Sequence, residues 1–380
     1  MTETILTNAT LVLDRETARG TIAFNEKGIL AVDTGLSRSP SAIDVEGDYV
    51  APGLVEMHTD NMEKHFLPRP GVVWPNPLAA ALAHDAQMAA AGVSTVYDSI
   101  ACGTVFSSKD HRREMLPDMV AAVSAGMKDR LFRIDHKIHL RCELSADEFE
   151  EDVQPYGRHP LVELISLMDH TPGQRQFKSR EHLKTYNLGA GKSEAEHDEE
   201  VAIRSSTGPT NVARNWPIAV ELFRARGVSI ATHDDTTEDD IKMARESGAV
   251  IAEFPTTIEA AEAARRHGLG VVAGAPNLVR GQSHFGGVSA RDLAQRGLLD
   301  GLSSDYVPAS LLQAILTLAR LHGVPMPQAM SMATWRVADL LGLADRGRLK
   351  AGLRADVVSF RVASGTPVVR ALWSAGVRAF

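Results

Sequence analysis

Five times in the middle of this chain a helical stretch stops at a glycine and an apolar run follows at once. The passages are "AAAGVSTVYD", "RARGVSIATHDD", "RESGAVIAEFPTT", "RRHGLGVVAGAPN" and "AQRGLLDGLSSD". Glycine accepts the left-handed conformation that ends a helix, so each passage reads as a helix stop followed by a buried strand. With the remaining apolar runs, strands are expected at 54–60, 93–100, 137–143, 161–170, 228–235, 250–257, 271–277 and 300–305. Strands that alternate with helices pair in parallel, and eight of them close a (β/α)8 barrel. The fold class expected is therefore α/β, with a TIM-like barrel over residues 51–344. An open doubly wound sheet is the alternative, but no G-x-G-x-x-G or Walker pattern follows a strand to support it.

Both ends of the chain read differently. Residues 1–50 and 345–380 alternate apolar and polar positions between turn signals such as "NEKG" and "EGD", the pattern of short strands. One barrel connection is long and polar, running through about 171–227, and reads as a loop insertion on the face where strands end. A net charge of −8 supplies no global attraction to nucleic acid or to a membrane surface. The two cysteines, Cys102 and Cys142, cannot build a disulfide framework, and both read as buried. No signal peptide is read at the start and no apolar run reaches the length of a membrane span, so a cytoplasmic protein is expected.

The predicted strand ends carry the chemistry: His58 and Asp60, Asp98, Glu143, His170, His233 with Asp234 and Asp235, Glu253, Asn277 and Asp305. A barrel gathers these ends on one rim. Strand alternation turns His58 and Asp60 inward together, and likewise His139, Arg141 and Glu143. Imidazole and carboxylate are the ligands of catalytic divalent ions, and this many exceed what one four-coordinate ion uses. Two ions are therefore expected, zinc first, with manganese or iron as alternatives; such a pair would activate water and neutralise phosphate charge. A lone histidine is more often a hydrogen-bonded structural residue. That is the reading for His139, His65, His84 and His136, whereas His58, His170 and His233 all follow apolar runs at strand ends. Asp98, Asp234, Asp235 and Glu253 read as carboxylates that orient ligands or cap helices. Around the same rim Lys64, Arg69, Arg175, Arg280 and His284 could receive a polyanion.

At "APGLVEMHTDNMEKHFLPRP", "HLRCEL", "SLMDHTPGQRQF", "THDD", "GAPNLVRGQSH", "LSSDYVPASLL" and the tail "GRLKAGLRADVV", the chain resembles the amidohydrolase superfamily, and within it the phosphonate-metabolism branch. The resemblance implies a metal-dependent hydrolase barrel with a small β-sandwich shared between residues 1–50 and 345–380. It implies metal ligation by His58, Asp60, Glu143, His170, His233 and Asp305, with Asp305 handling the proton of the attacking water. The sequence departs from the wider pattern in having His58-Thr-Asp60 for H-x-H and no evident bridging lysine, so the bridge is assigned to Glu143. The substrate implied is a small ribose phosphonate triphosphate, cleaved to release diphosphate. Neither nucleic acid nor membrane is an expected partner, and homo-oligomerisation is left open. The alternatives are hydrolysis or deamination at a C–N bond and a metal-free scaffold.

Overall fold

The computed structural model describes residues 3–103, 111–175, 180–189, 193–282 and 286–380. The chain opens with strands β1 (Thr4–Val12), β2 (Thr17–Asn25), β3 (Gly28–Thr34), β4 (Ile43–Asp44) and β5 (Tyr49–Pro52). The barrel strands follow: β6 (Leu54–Thr59), β7 (Val93–Cys102), β8 (Asp135–Glu143), β9 (Val162–Met168), β10 (Ser229–His233), β11 (Ile251–Glu253), β12 (Gly270–Gly274) and β13 (Gly301–Ser303). Strands β14 (Val357–Ala363), β15 (Thr366–Ser374) and β16 (Val377–Arg378) finish the chain.

Among the described residues, β6 to β13 form an eight-stranded sheet in chain order, parallel throughout. A parallel bridge between Thr59 and Asp305 joins its first strand to the end of its last, as barrel closure requires. All five helix-stop glycines adopt positive φ, between 69° at Gly297 and 88° at Gly92, so the repeated signal was read for the right reason. Apolar side chains on the strands' outer face pack against the surrounding helices. Inside, Val55, Met57, Tyr97, Leu164, Ala231, Ile251 and Val272 meet Val337, Ala338 and Leu341 to form a separate apolar plug. The plug residues precede the site residues along their strands, so polar chemistry is confined to one end.

The second sheet takes strands from both ends of the chain, in the order β16-β15-β14-β5-β1-β2-β3 with β4 on β1. Its strand β5 leads into β6 through Gly53 alone. A side chain at Gly53 would stand 2.4 Å from the Ser94 hydroxyl, so only glycine lets the chain pass that closely from one sheet to the other.

Two expectations change. The stretch around 171–227 is not a long loop, because Glu194–Arg224 is a single helix of 31 residues. Pro209 and Pro217 lie inside it. The helix is nonetheless started by a capping box, in which Ser193 and Glu196 satisfy each other's backbone N–H groups. The seventh barrel strand ends at Gly274 rather than Asn277, since Pro276 sits in the first turn of the helix Ala275–Arg280, where its missing N–H costs nothing. No helix among the described residues is long and apolar enough to cross a membrane.

Gly53→Ala should destabilise the protein by roughly 1–3 kcal/mol through overpacking against Ser94. Urea denaturation would read this as a lower midpoint with an unchanged slope.

Candidate metal centre

The site is built from the ends of β6, β8, β9, β10, β11 and β13. Glu253, the last residue of β11, lies completely buried with its Oε2 3.2 Å from Nδ1 of His58 and 3.2 Å from Nδ1 of His233. The Ser166 hydroxyl donates to the same oxygen at 2.5 Å. Burial opposes the charge on Glu253, but His58 and His139 beside it prevail and hold its pKa well below the usual carboxylate range. One carboxylate therefore faces the inner nitrogen of two imidazoles and turns both outer nitrogens toward the barrel mouth. The two rings lie nearly parallel, 5.5 Å apart, and Phe254 meets each edge-on at 5.0 and 5.1 Å.

At the mouth the outer nitrogens meet carboxylates. His58 Nε2 is 3.7 Å from Asp60 Oδ1, and Asp305 joins the same group. His170 Nε2 and His233 Nε2 lie 3.7 and 3.6 Å from Asp234 Oδ2. Neither carboxylate oxygen, Asp60 Oδ1 nor Asp234 Oδ2, has a hydrogen-bond partner, although both are buried. Separations of 3.6–3.7 Å are too long for hydrogen bonds. They approach the spacing of two ligands that each sit about 2.0–2.2 Å from one ion. The donor set fits divalent metal in two adjacent groups, His58 with Asp60 and Asp305, and His170 with His233 and Asp234.

Asp234 is the residue that sequence reasoning placed behind the site. Strand alternation turns it away from His233, but β10 ends at His233 and Asp234 takes φ 58°. That left-handed turn brings its carboxylate back toward the mouth. Asp305 also takes a left-handed φ of 53°, but alternation from Gly301 and Ser303 already places it on the inward face. Its carboxyl pKa is pushed up to about 6, by burial and by the neighbouring Asp60 charge.

Glu143 takes a different place from the expected bridge. Its Oε2 is 2.5 Å from His170 Nδ1, while its Oε1 accepts from the Ser145 hydroxyl and the His170 backbone N–H. Burial again opposes the charged forms, yet the pairing lowers Glu143 to about 2 and raises His170 to about 9. Glu143 belongs to none of the three-donor groups among the described residues and touches the site through His170.

The cations also separate. Arg175 is buried, donating from NH1 to Asp235 at 2.7 Å and to the His233 carbonyl at 2.6 Å, so it braces the end of β10. Lys64, Arg69 and Arg280 are exposed, and Lys64 reaches the Tyr306 carbonyl. His284 lies outside the described residues. Arg141, by contrast, meets a carboxylate of the donor groups directly, with its NH1 2.7 Å from Asp60 Oδ2.

A further cluster of metal-ligand types is sealed behind the site and already satisfied. Asp98 accepts from His84 and His136 at 2.8 Å each, and His136 also faces Asp85 at 3.4 Å. His84 in turn meets Asn61, the neighbour of Asp60. His84, Asp98 and His136 also form a three-donor group, but each is already engaged with the others in the buried network.

Over 99% of its length the chain is 43% identical to the alpha-D-ribose 1-methylphosphonate 5-triphosphate diphosphatase of Escherichia coli K12, all of which is covered. The chain belongs to that diphosphatase's family. No family model matches the sequence. The fold is shared with an amidohydrolase at TM-score 0.64 and 15% identity, covering 99% of this chain and 98% of that one. It is shared also with N-acetyl-D-glucosamine-6-phosphate deacetylase from Mycobacterium smegmatis at TM-score 0.60 and 19% identity, covering 99% and 100%. The member of the diphosphatase family described here thus carries the amidohydrolase fold over its whole length.

The sealed pair sets a pH window for stability. Despite burial, Asp98 holds His136 at about 9 against an ordinary 6.5, and His136 helps to lower Asp98 to about 2 from 3.8. The His136 contribution is complete below pH 6.5 and is lost as pH rises through about 9. The Asp98 contribution is complete above pH 3.8 and is lost as pH falls through about 2. His136→Gln should therefore cost about 3 kcal/mol between these limits, with the gap to the natural protein shrinking toward pH 9. Urea midpoints measured across that range would show it.

Proposed function

We propose that this chain is a metal-dependent hydrolase of phosphonate catabolism. Like its E. coli relative, it would act on alpha-D-ribose 1-methylphosphonate 5-triphosphate, yielding the 5-phosphate and diphosphate. The observation that carries the metal reading is the pair of buried, unpartnered oxygens, Asp60 Oδ1 and Asp234 Oδ2, each facing a histidine Nε2. The full-length identity to the relative carries the substrate.

His58, Asp60 and Asp305 would hold one ion and His170, His233 and Asp234 a second, with Glu143 fixing the His170 ring. When bound, the ions supply Lewis-acid stabilisation of phosphoryl oxygens and a water of lowered pKa; the N/O donor set suits zinc, with manganese or iron as alternatives. The chain's own part is positional and protonic. Asp305, at the end of the last barrel strand, would take a proton from the attacking water on its carboxylate. Glu253 would keep His58 and His233 in one tautomer, with the outer nitrogens directed at the ions. Lys64, Arg69, Arg280 and His284 would meet the phosphate chain at the rim, and Arg175 would hold the wall behind it. Catalysis would be confined to the barrel unit, residues 51–344, with residues 1–50 and 345–380 as the supporting sandwich, in a cytoplasmic protein.

Purified protein should release diphosphate from the ribose triphosphate, lose that activity to a chelator and recover it with zinc or manganese. Asp305→Asn should lower kcat by about 100-fold or more while KM changes little. Hydrolysis of a cyclic amide with no diphosphate release would overturn the proposal in favour of C–N bond chemistry.

A further inference from the structure

Asp60 stands where a helix cap is normally used, at the N-terminal boundary of the helix Asn61–Phe66, yet its side chain caps nothing. An aspartate there ordinarily accepts from a backbone N–H of the first turn. Here the carboxylate is turned into the barrel mouth. One oxygen, Oδ2, meets Arg141, and the other, Oδ1, faces His58 without a hydrogen-bond partner. Something must hold the side chain off the helix.

Arg141 is placed to do that. It lies in β8, two residues before Glu143, and its side chain is only 12% exposed. It reaches across from the third barrel strand to the end of the first. Its NH1 lies 2.7 Å from Asp60 Oδ2, the length of a strong charge-assisted bond. Asp60 and Asp305 put two carboxylates beside one histidine, and a guanidinium in direct contact with Asp60 offsets one of the two charges. A buried guanidinium is planar and always charged, so it can fix one oxygen of a carboxylate and leave the other directed elsewhere.

We propose that Arg141 is the positioning residue for Asp60: it grips Oδ2 so that Oδ1 faces His58 and Asp305 as an ion ligand. The inference rests on the reading of those three residues as an ion-holding group. It makes Arg141 act through Asp60, without touching the ion itself.

The test is a double-mutant cycle on zinc affinity, measured by chelator competition on the full chain. Arg141→Met should weaken zinc binding about 10–100-fold, the usual cost of losing a residue that orients a ligand. In an Asp60→Ala background the same change should add no further loss. Arg141→Lys, which keeps the charge but not the planar fork, should bind zinc at a level between the natural protein and Arg141→Met, with a thermal midpoint close to natural. That variant keeps the test informative if Arg141→Met folds poorly. Natural zinc affinity in both Arg141 variants would overturn the proposal, as would full additivity with Asp60→Ala. Natural affinity in Asp60→Ala alone would instead remove the ion-holding group, and the proposal with it.

Discussion

The barrel is closed by the main chain of the same residues whose side chains form the site. The backbone N–H of Asp60 donates to the Asp305 carbonyl at 2.9 Å, and that of Asp305 donates to the His58 carbonyl at 3.1 Å. The Thr59 hydroxyl donates a second bond to the Asp305 carbonyl. Below them the buried Glu56 carboxylate accepts from the backbone N–H of His58 and of Ser304, tying the ends of β6 and β13 a second time. β13 itself is only three residues long, so this stitching decides where the eighth strand meets the first. Site geometry and fold closure are one constraint, which is why His58, Asp60 and Asp305 converge although about 245 residues of chain separate them.

Closure in this form stores strain at the rim. Asp234, Phe254 and Asp305 all take left-handed backbone angles, each of order 1 kcal/mol unfavourable for a residue with a side chain. Asp234 and Phe254 directly follow the last residue of a strand, and there the angle redirects a side chain that simple alternation would send elsewhere. The strain is tolerated because the apolar plug inside the barrel and the helices outside it leave the strand ends little freedom. Burial then sets the charges. His139, inside the barrel with no carboxylate in hydrogen-bonding contact, is pushed down to about 3 by desolvation, while His136, whose partners include two aspartates, is held near 9. The same desolvation acts on both, and the partner decides the outcome.

The barrel was legible because its signal repeats: a glycine that must turn left-handed follows each of five helices, and every expected strand exists. The convergence of His58, His170 and His233 was legible for a related reason, since strand ends in a barrel have one destination. What escaped was whatever depends on a reversal of alternation or on pairing between distant strands. Asp234 is brought into the mouth by its own backbone angle, which no neighbouring residue type announces. Glu143 was correctly put at the rim, but its contact with the inner nitrogen of His170 depends on how β8 and the end of β9 align. Arg141 was placed on the inward face, yet its grip on Asp60 is a contact between the third and first strands that sequence separation hides. The long helix was missed because a long polar connection reads as a loop, whereas here the polar residues pack and cap a helix.

That helix shows how an insertion can serve the site without lining it. Its Asn215 donates to the carbonyls of Leu144 and Ala146, and its Asn211 donates to the Ser145 carbonyl, so it grips the turn that follows Glu143. Gly208 sits so close to Thr171 that a side chain there would meet the threonine hydroxyl at 2.5 Å. Thr171 is the neighbour of His170, and the gripped turn is the neighbour of Glu143. The helix therefore braces both partners of the Glu143–His170 pair from outside the barrel, through backbone carbonyls that a loop would leave to solvent. A polar inner face on this helix is thus a structural requirement of the pair, and the amides that look like poor core residues in sequence are the ones the turn after β8 needs.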